Sequence, residues 1–152
     1  MTRLEPELCQ LLREIAESAD PSGSTAAQDR LFSPPTEDAE EAEFVEDWQN
    51  YVAPELRQLF QSALDVIQRD LGHLKISAKS SRATLDVPVS NLESWIHGLN
   101  QARLALAARY DFSEEEMDRF LTPARDPRSY ALLQIRFYGV VEELFLRELE
   151  SA

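Results

Sequence analysis

An arginine inside an apolar helical stripe constrains this chain more than any other feature. Between Asn91 and Tyr110, Leu92, Trp95, Ile96, Leu99, Leu106 and Tyr110 recur at helical spacing and make one stripe. Arg103 lies within it, four residues after Leu99 and seven after Ile96, and Asn100 flanks it. A helix that buries this stripe must bury a guanidinium, which then needs acceptors. Trp95, Asn100 and Arg103 are therefore the candidate polar core or pocket. One reading is an internal ion pair that fixes how helices cross. The other is a pocket for a carboxylate or phosphate. The ion pair is the expected one, with Glu43, Glu46 or Asp47 as partner, because their segment carries acids in excess.

The rest of the chain reads mainly as helix. Pro6 to Ala19 is one helix with Leu4, Leu8, Leu11, Leu12 and Ile15 on a face, and Pro6 suits its first turn. Residues 20–36 form an extended Pro/Ser-rich linker, since Pro34 and Pro35 block helix and Leu31 and Phe32 plug an apolar gap. Residues 37–47 hold seven acids and no base on an acidic helix. Pro54 starts or kinks the next helix, Glu55 to Leu71, which Gly72 caps. Leu74 to Val87 alternates as a short hairpin that must lean on the helices.

Ser90 to Glu93 and Ser113 to Glu116 each fit a capping box. The last helix, Ser129 to Glu150, should line one face with Tyr130, Leu133, Phe137, Val140, Val141 and Leu144. Gly139 inside it calls for a close helix crossing, since a mid-helix glycine costs roughly 1 kcal/mol. The expectation is a mainly α single domain over 1–152, a bundle of five or six helices with one short β-hairpin.

Composition narrows the function classes. Leu, Ile, Val and Phe are about a quarter of the 152 residues, enough for a core. The formal net charge of −13 repels phosphate backbones and anionic lipid. Nucleic-acid binding would need a local basic patch. Arg69, Lys75, Lys79 and Arg82, with Arg119, Arg125, Arg128 and Arg136, could supply one, although pairing with the excess carboxylates is the simpler outcome. No run of apolar residues spans a membrane, and the start, rich in acids, does not read as a signal peptide. A cytoplasmic protein is expected.

Reactive chemistry is thinly represented. Cys9 is the one cysteine, so it makes no intrachain disulfide and no cysteine zinc site; it is a candidate redox residue, with a packed thiol the simpler reading. Glu93 and His97 stand four apart, His73 follows Gly72, and two histidines are too few for most transition-metal sites. Neither a nucleophile elbow nor a phosphate-cradling glycine loop occurs. No catalytic, cofactor or metal residue is assigned.

Arg30 to Pro35 (RLFSPP), the acidic helix, Trp95 to Leu106 (WIHGLNQARLAL), and Tyr138-Gly139 with Glu142-Glu143-Leu144 resemble a bacterial domain-of-unknown-function family that includes the actinobacterial oxidative-stress regulator AosR. The resemblance covers almost the whole chain and rests on packing motifs. It implies a helical cytoplasmic bacterial protein, with some relatives acting as redox-responsive transcriptional regulators through paired cysteines near the N-terminus. Cys9 has no second cysteine, so that switch does not carry over. The expected function is a non-enzymatic regulatory or protein-interaction module with a protein partner and no cofactor. The alternatives are a DNA-binding regulator or a small-anion binder using Arg103 and Asn100. Oligomeric state stays open, a homodimer included.

Overall fold

A computed structural model describes residues 2–4, 6–22, 24–32, 41–76, 83–118 and 126–151. The helices are α1 (Pro6–Arg13), α2 (Ile15–Ala19), α3 (Thr25–Phe32), α4 (Ala42–Asp47), α5 (Ala53–Leu71), α6 (Leu92–Arg109), α7 (Glu114–Asp118) and α8 (Pro127–Ser151). The fold is mainly α, as the periodicity predicts. Among the described residues, α1 and α2 form one helix broken at Glu14, and α4 runs into α5, leaving six helical units.

Three short strands accompany them: β1 (Thr2–Leu4), β2 (Lys75–Ile76) and β3 (Ala83–Leu85). The predicted hairpin is present, with Lys75 opposite Thr84 and Ile76 opposite Ala83. Ala83 and Leu85 are buried while Thr84 between them is half-buried, the alternation of a one-sided strand. The third strand is a correction. Leu4 belongs to β1, with Thr2 opposite Leu85, and not to the face of the first helix. β3 is the centre of an antiparallel sheet ordered β1-β3-β2.

The linker expected over 20–36 is also corrected. Ser24 Oγ accepts the Ala27 N–H at 3.1 Å, an N-cap that starts α3 well before the two prolines can interfere. Pro34 and Pro35, and the first four residues of the acidic run, lie outside the described residues. Leu31 is buried and Phe32 packs beside it, as an apolar plug should.

Between α4 and α5 the backbone widens into a π turn, Trp48–Val52. Pro54 comes two residues after it, in the first turn of α5. Proline lacks an N–H and its ring crowds the carbonyl four residues back, so a wider turn ahead of it lets the helix continue. α6 ends differently. Asp111 takes a positive φ of 51°, the Asp111 N–H donates to Ala108 O at 3.3 Å, and the Phe112 N–H to Ala107 O at 3.1 Å. This is a Schellman closure built on aspartate where glycine is usual. Gly72 caps α5 in the ordinary right-handed region.

One apolar core draws on α1, α2, α5, β3, α6 and α8. Trp95, Tyr138, Leu12, Ile15, Ile67, Leu99 and Ile135 are its largest fully buried side chains. α6 runs antiparallel to α8: Trp95 meets Phe145 edge-on at 5.6 Å, while Arg103, further along α6, meets Gly139 and Glu142, earlier on α8. On the other side of α6, a Cβ at Gly98 would overlap Ile67 Cδ1, so this glycine lets α5 approach closely.

α8 turns inward only partly by the predicted face: Tyr130, Phe137 and Val141 pack half-buried against the core. Ala131, Gln134, Ile135 and Tyr138 are its buried residues, whereas Val140 and Leu144 are exposed. An apolar surface on most sides of a helix cannot by itself say which side turns inward. Two polar groups decide it: Tyr138 Oη donates to Leu11 O at 2.6 Å, and Gln134 Nε2 donates to Ser18 Oγ at 3.1 Å. Substitutions separate the two faces. Ile135→Ala should cost about 2–5 kcal/mol in urea unfolding, and Val140→Ala should stay within about 0.5 kcal/mol. The reverse order would put the predicted face in the core.

Candidate functional site

Arg103 stands where α6 crosses α8. Its Nη1 donates to Glu142 Oε2 at 3.0 Å, and a Cβ on Gly139 would lie 3.2 Å from the guanidinium carbon. Gly139 thus gives up a side chain so that a planar cation can lie flat against its helix. The partner is Glu142, which corrects the expectation of Glu43, Glu46 or Asp47. None of the α4 acids Glu43, Glu46 and Asp47 pairs with Arg103, while Glu142 lies within one helical turn of Gly139. Arg103 is 34% exposed and Glu142 13% exposed, so the pair is half-solvated. Arg103 Nε is buried with no partner among the described residues.

Asn100 does not join this pair. It is exposed, and its neighbour Gln101 turns inward instead, donating from Nε2 to Ala19 O at 3.2 Å. Trp95 is fully buried and belongs to a separate polar cluster. Its Nε1 donates to Asp70 Oδ2 at 2.8 Å, and Asn91 Nδ2 donates to both Asp70 oxygens at 3.2 and 3.1 Å. Asp70 is itself buried. The capping box predicted at the start of α6 is therefore corrected: a 3-10 turn, Val89–Asn91, precedes α6, and the Asn91 side chain bonds Asp70 and not its own helix. The sequence held one signal for Asp70, since a buried indole N–H requires an acceptor. The second predicted capping box is present, with the Glu116 N–H donating to Ser113 Oγ at 3.2 Å.

A third polar cluster fixes α8 to the first helical unit. Glu14 accepts from Tyr130 Oη, and from Gln134 Nε2 at 3.2 Å. Burial, with Glu14 beside it, raises the Tyr130 phenol above its ordinary value, and burial pushes Tyr138 up to about 12. Both stay neutral donors in the native core.

Cys9 is buried, and burial pushes its thiol up, the opposite of what an activated thiolate needs. His73, Glu93 and His97 are exposed. Among the described residues, no three His, Cys, Asp or Glu side chains gather where they could hold a metal ion. Of the basic stretches, Arg128 pairs with Glu116 at 2.5 Å and lies over the Phe112 ring. Lys79, Arg82, Arg119 and Arg125 lie outside the described residues. No described helix is long and apolar enough to cross a membrane.

An apolar groove lies beyond the Trp95 end of the crossing. Val87, Val89, Leu92, Val141, Leu144 and Phe145 line a groove of about 350 Å³ between the end of β3, the 3-10 turn and α8. Asp86 and Glu148 stand at its edges. Val89 is 59% exposed and Leu144 47%. Chance placement scatters apolar residues singly; here they converge.

The family model for a domain of unknown function, DUF2017, matches residues 2–149. No curated protein and no solved structure matches the chain.

The ion pair is tested by substitution. Arg103→Ala should lower stability by about 1–3 kcal/mol, below the cost of a fully buried pair because water reaches this one. Arg103→Met combined with Glu142→Leu should recover much of that loss. An unchanged melting midpoint for Arg103→Ala would remove the pair's structural role.

Proposed function

We propose, for a chain that belongs to the DUF2017 family, a non-catalytic role as a cytoplasmic protein-interaction module with a regulatory purpose. The observation that carries this reading is the groove between β3 and α8. Its walls are aliphatic and aromatic, and half-exposed Val89 and Leu144 offer surface that a partner would remove from water. Its edges are acidic, on a chain of net charge −13. The occupant that fits is a helical segment of another protein, apolar on one face and flanked by Lys or Arg. Charge complementarity would speed its arrival and exclude acidic competitors.

Regulation of the kind that the resemblance to AosR suggests would here act through binding and not through a thiol pair. The one cysteine, Cys9, is buried with a raised pKa. The anion-pocket alternative loses ground, because Arg103 is engaged by Glu142 and Asn100 faces solvent.

Selection from a random helical-peptide library on the wild-type protein tests the reading. It should enrich peptides with apolar residues at i, i+3 or i+4 and basic flanks, bound more weakly as salt rises. Leu144→Asp should weaken them about tenfold or more while leaving the melting midpoint in place. Enrichment of acidic peptides, or binding indifferent to Leu144→Asp, would contradict it.

A further inference from the structure

A second concavity lies on the opposite side of α6, between α2, α3 and α5. It is a cleft of about 670 Å³, within the range of small-molecule sites. Its outer edge is polar, with Glu17, Asp20, Gln28, Arg57 and Gln61. Phe32, Phe60 and Leu64 supply the apolar wall, and Gln101 from the middle of α6 also lines it.

The wall is built and held. Phe32 and Phe60 face each other at 5.7 Å, tilted by 39°. The Arg57 guanidinium lies over the Phe32 ring at 4.7 Å, and Trp48 Nε1 donates to Phe32 O at 3.3 Å. A flat molecule entering here meets aromatic faces already fixed in place.

Gln101 gives the cleft a chemical demand. It is 4% exposed, and its Oε1 is buried with no partner among the described residues. The orientation of the amide is set from the other end. Nε2 donates to the Ala19 carbonyl, and turning the amide over would point oxygen at oxygen. An unmatched acceptor is left on a side chain that lines the cleft, covered from water, and such a group is costly unless a donor reaches it. Gln101 Oε1 is buried, so a neutral N–H or O–H reaches it at a lower desolvation cost than an ammonium does.

We propose that this cleft binds a small planar aromatic molecule whose N–H or O–H donates to Gln101 Oε1 while its ring lies against Phe32 and Phe60. The site is independent of the groove between β3 and α8.

Indole and benzofuran test it, being of one shape, with and without the donor. Titrated into the ¹⁵N-labelled wild-type protein, indole should shift the Gln101 side-chain amide and the Phe60 and Leu64 backbone signals. It should bind about fivefold tighter than benzofuran, or better. Gln101→Leu should bring the two affinities together. Phe32→Ala, which leaves Gln101 in place, should weaken both and keep their ratio. Equal binding of indole and benzofuran to the wild type would show that the ligand's donor does not reach Gln101 Oε1 and would overturn the proposal. So would an absence of shifts at Phe60, Leu64 and Gln101 up to the solubility of indole.

Discussion

The contact between the Arg103 guanidinium and the bare backbone of Gly139 sets the distance at which α6 and α8 cross. α8 is the longest helix of the core, and α6 also packs against α2, α3 and α5 through its remaining faces. A larger residue at position 139 would push on a side chain held by Glu142. Smaller than arginine at 103, and the crossing loses both its filler and its counter-charge. Once the crossing is set, the Trp95 indole falls against Phe145 and within reach of Asp70, and Gly98 brings α5 onto the other side. Tyr138 and Gln134 then meet the first helical unit through Leu11 O, Ser18 and Glu14.

Much of this was legible in the sequence, and the gaps have physical reasons. The stripe on α6, the hairpin at β2 and β3, the Ser113 cap and the need for a close approach at Gly139 are local patterns. They depend on residues a few positions apart. The partner of Arg103 is not local: Glu142 lies 39 residues away, and counting charges favoured an acidic helix that does not pair with it. The buried face of α8 partly escaped because its apolar residues surround the helix, so that Gln134 and Tyr138 decide the orientation through their hydrogen bonds. β1 escaped because three residues carry no periodicity worth reading, and Asp70 because a single acid among basic neighbours looks like a surface residue.

The same frame places the two candidate surfaces. The groove at Val89 and Leu144 exists because the buried face of α8 leaves an apolar face outside, alongside the end of β3. The cleft at Gln101 exists because α6 turns Gln101 inward and Asn100 outward, while the N-capped α3 carries Phe32 toward Phe60. Neither surface uses the residues singled out at the start, Arg103, Asn100 and Cys9. Arg103 and Cys9 contribute to packing, and Asn100 to the solvated side of α6. A polar residue in an apolar stripe marks where helices must meet, which need not be where a ligand binds.

Residue-resolved native-state hydrogen exchange shows whether the α6–α8 crossing holds the core together. If the α6–α8 crossing organises the core, the slowest amides of both helices should open together, at a single free energy equal to that of global unfolding. The amides of α4, which has no buried residue, should open at a lower one. Exchange of α8 at a markedly lower free energy than α6, with α6 still protected, would show that the core stands without the crossing and would contradict the account.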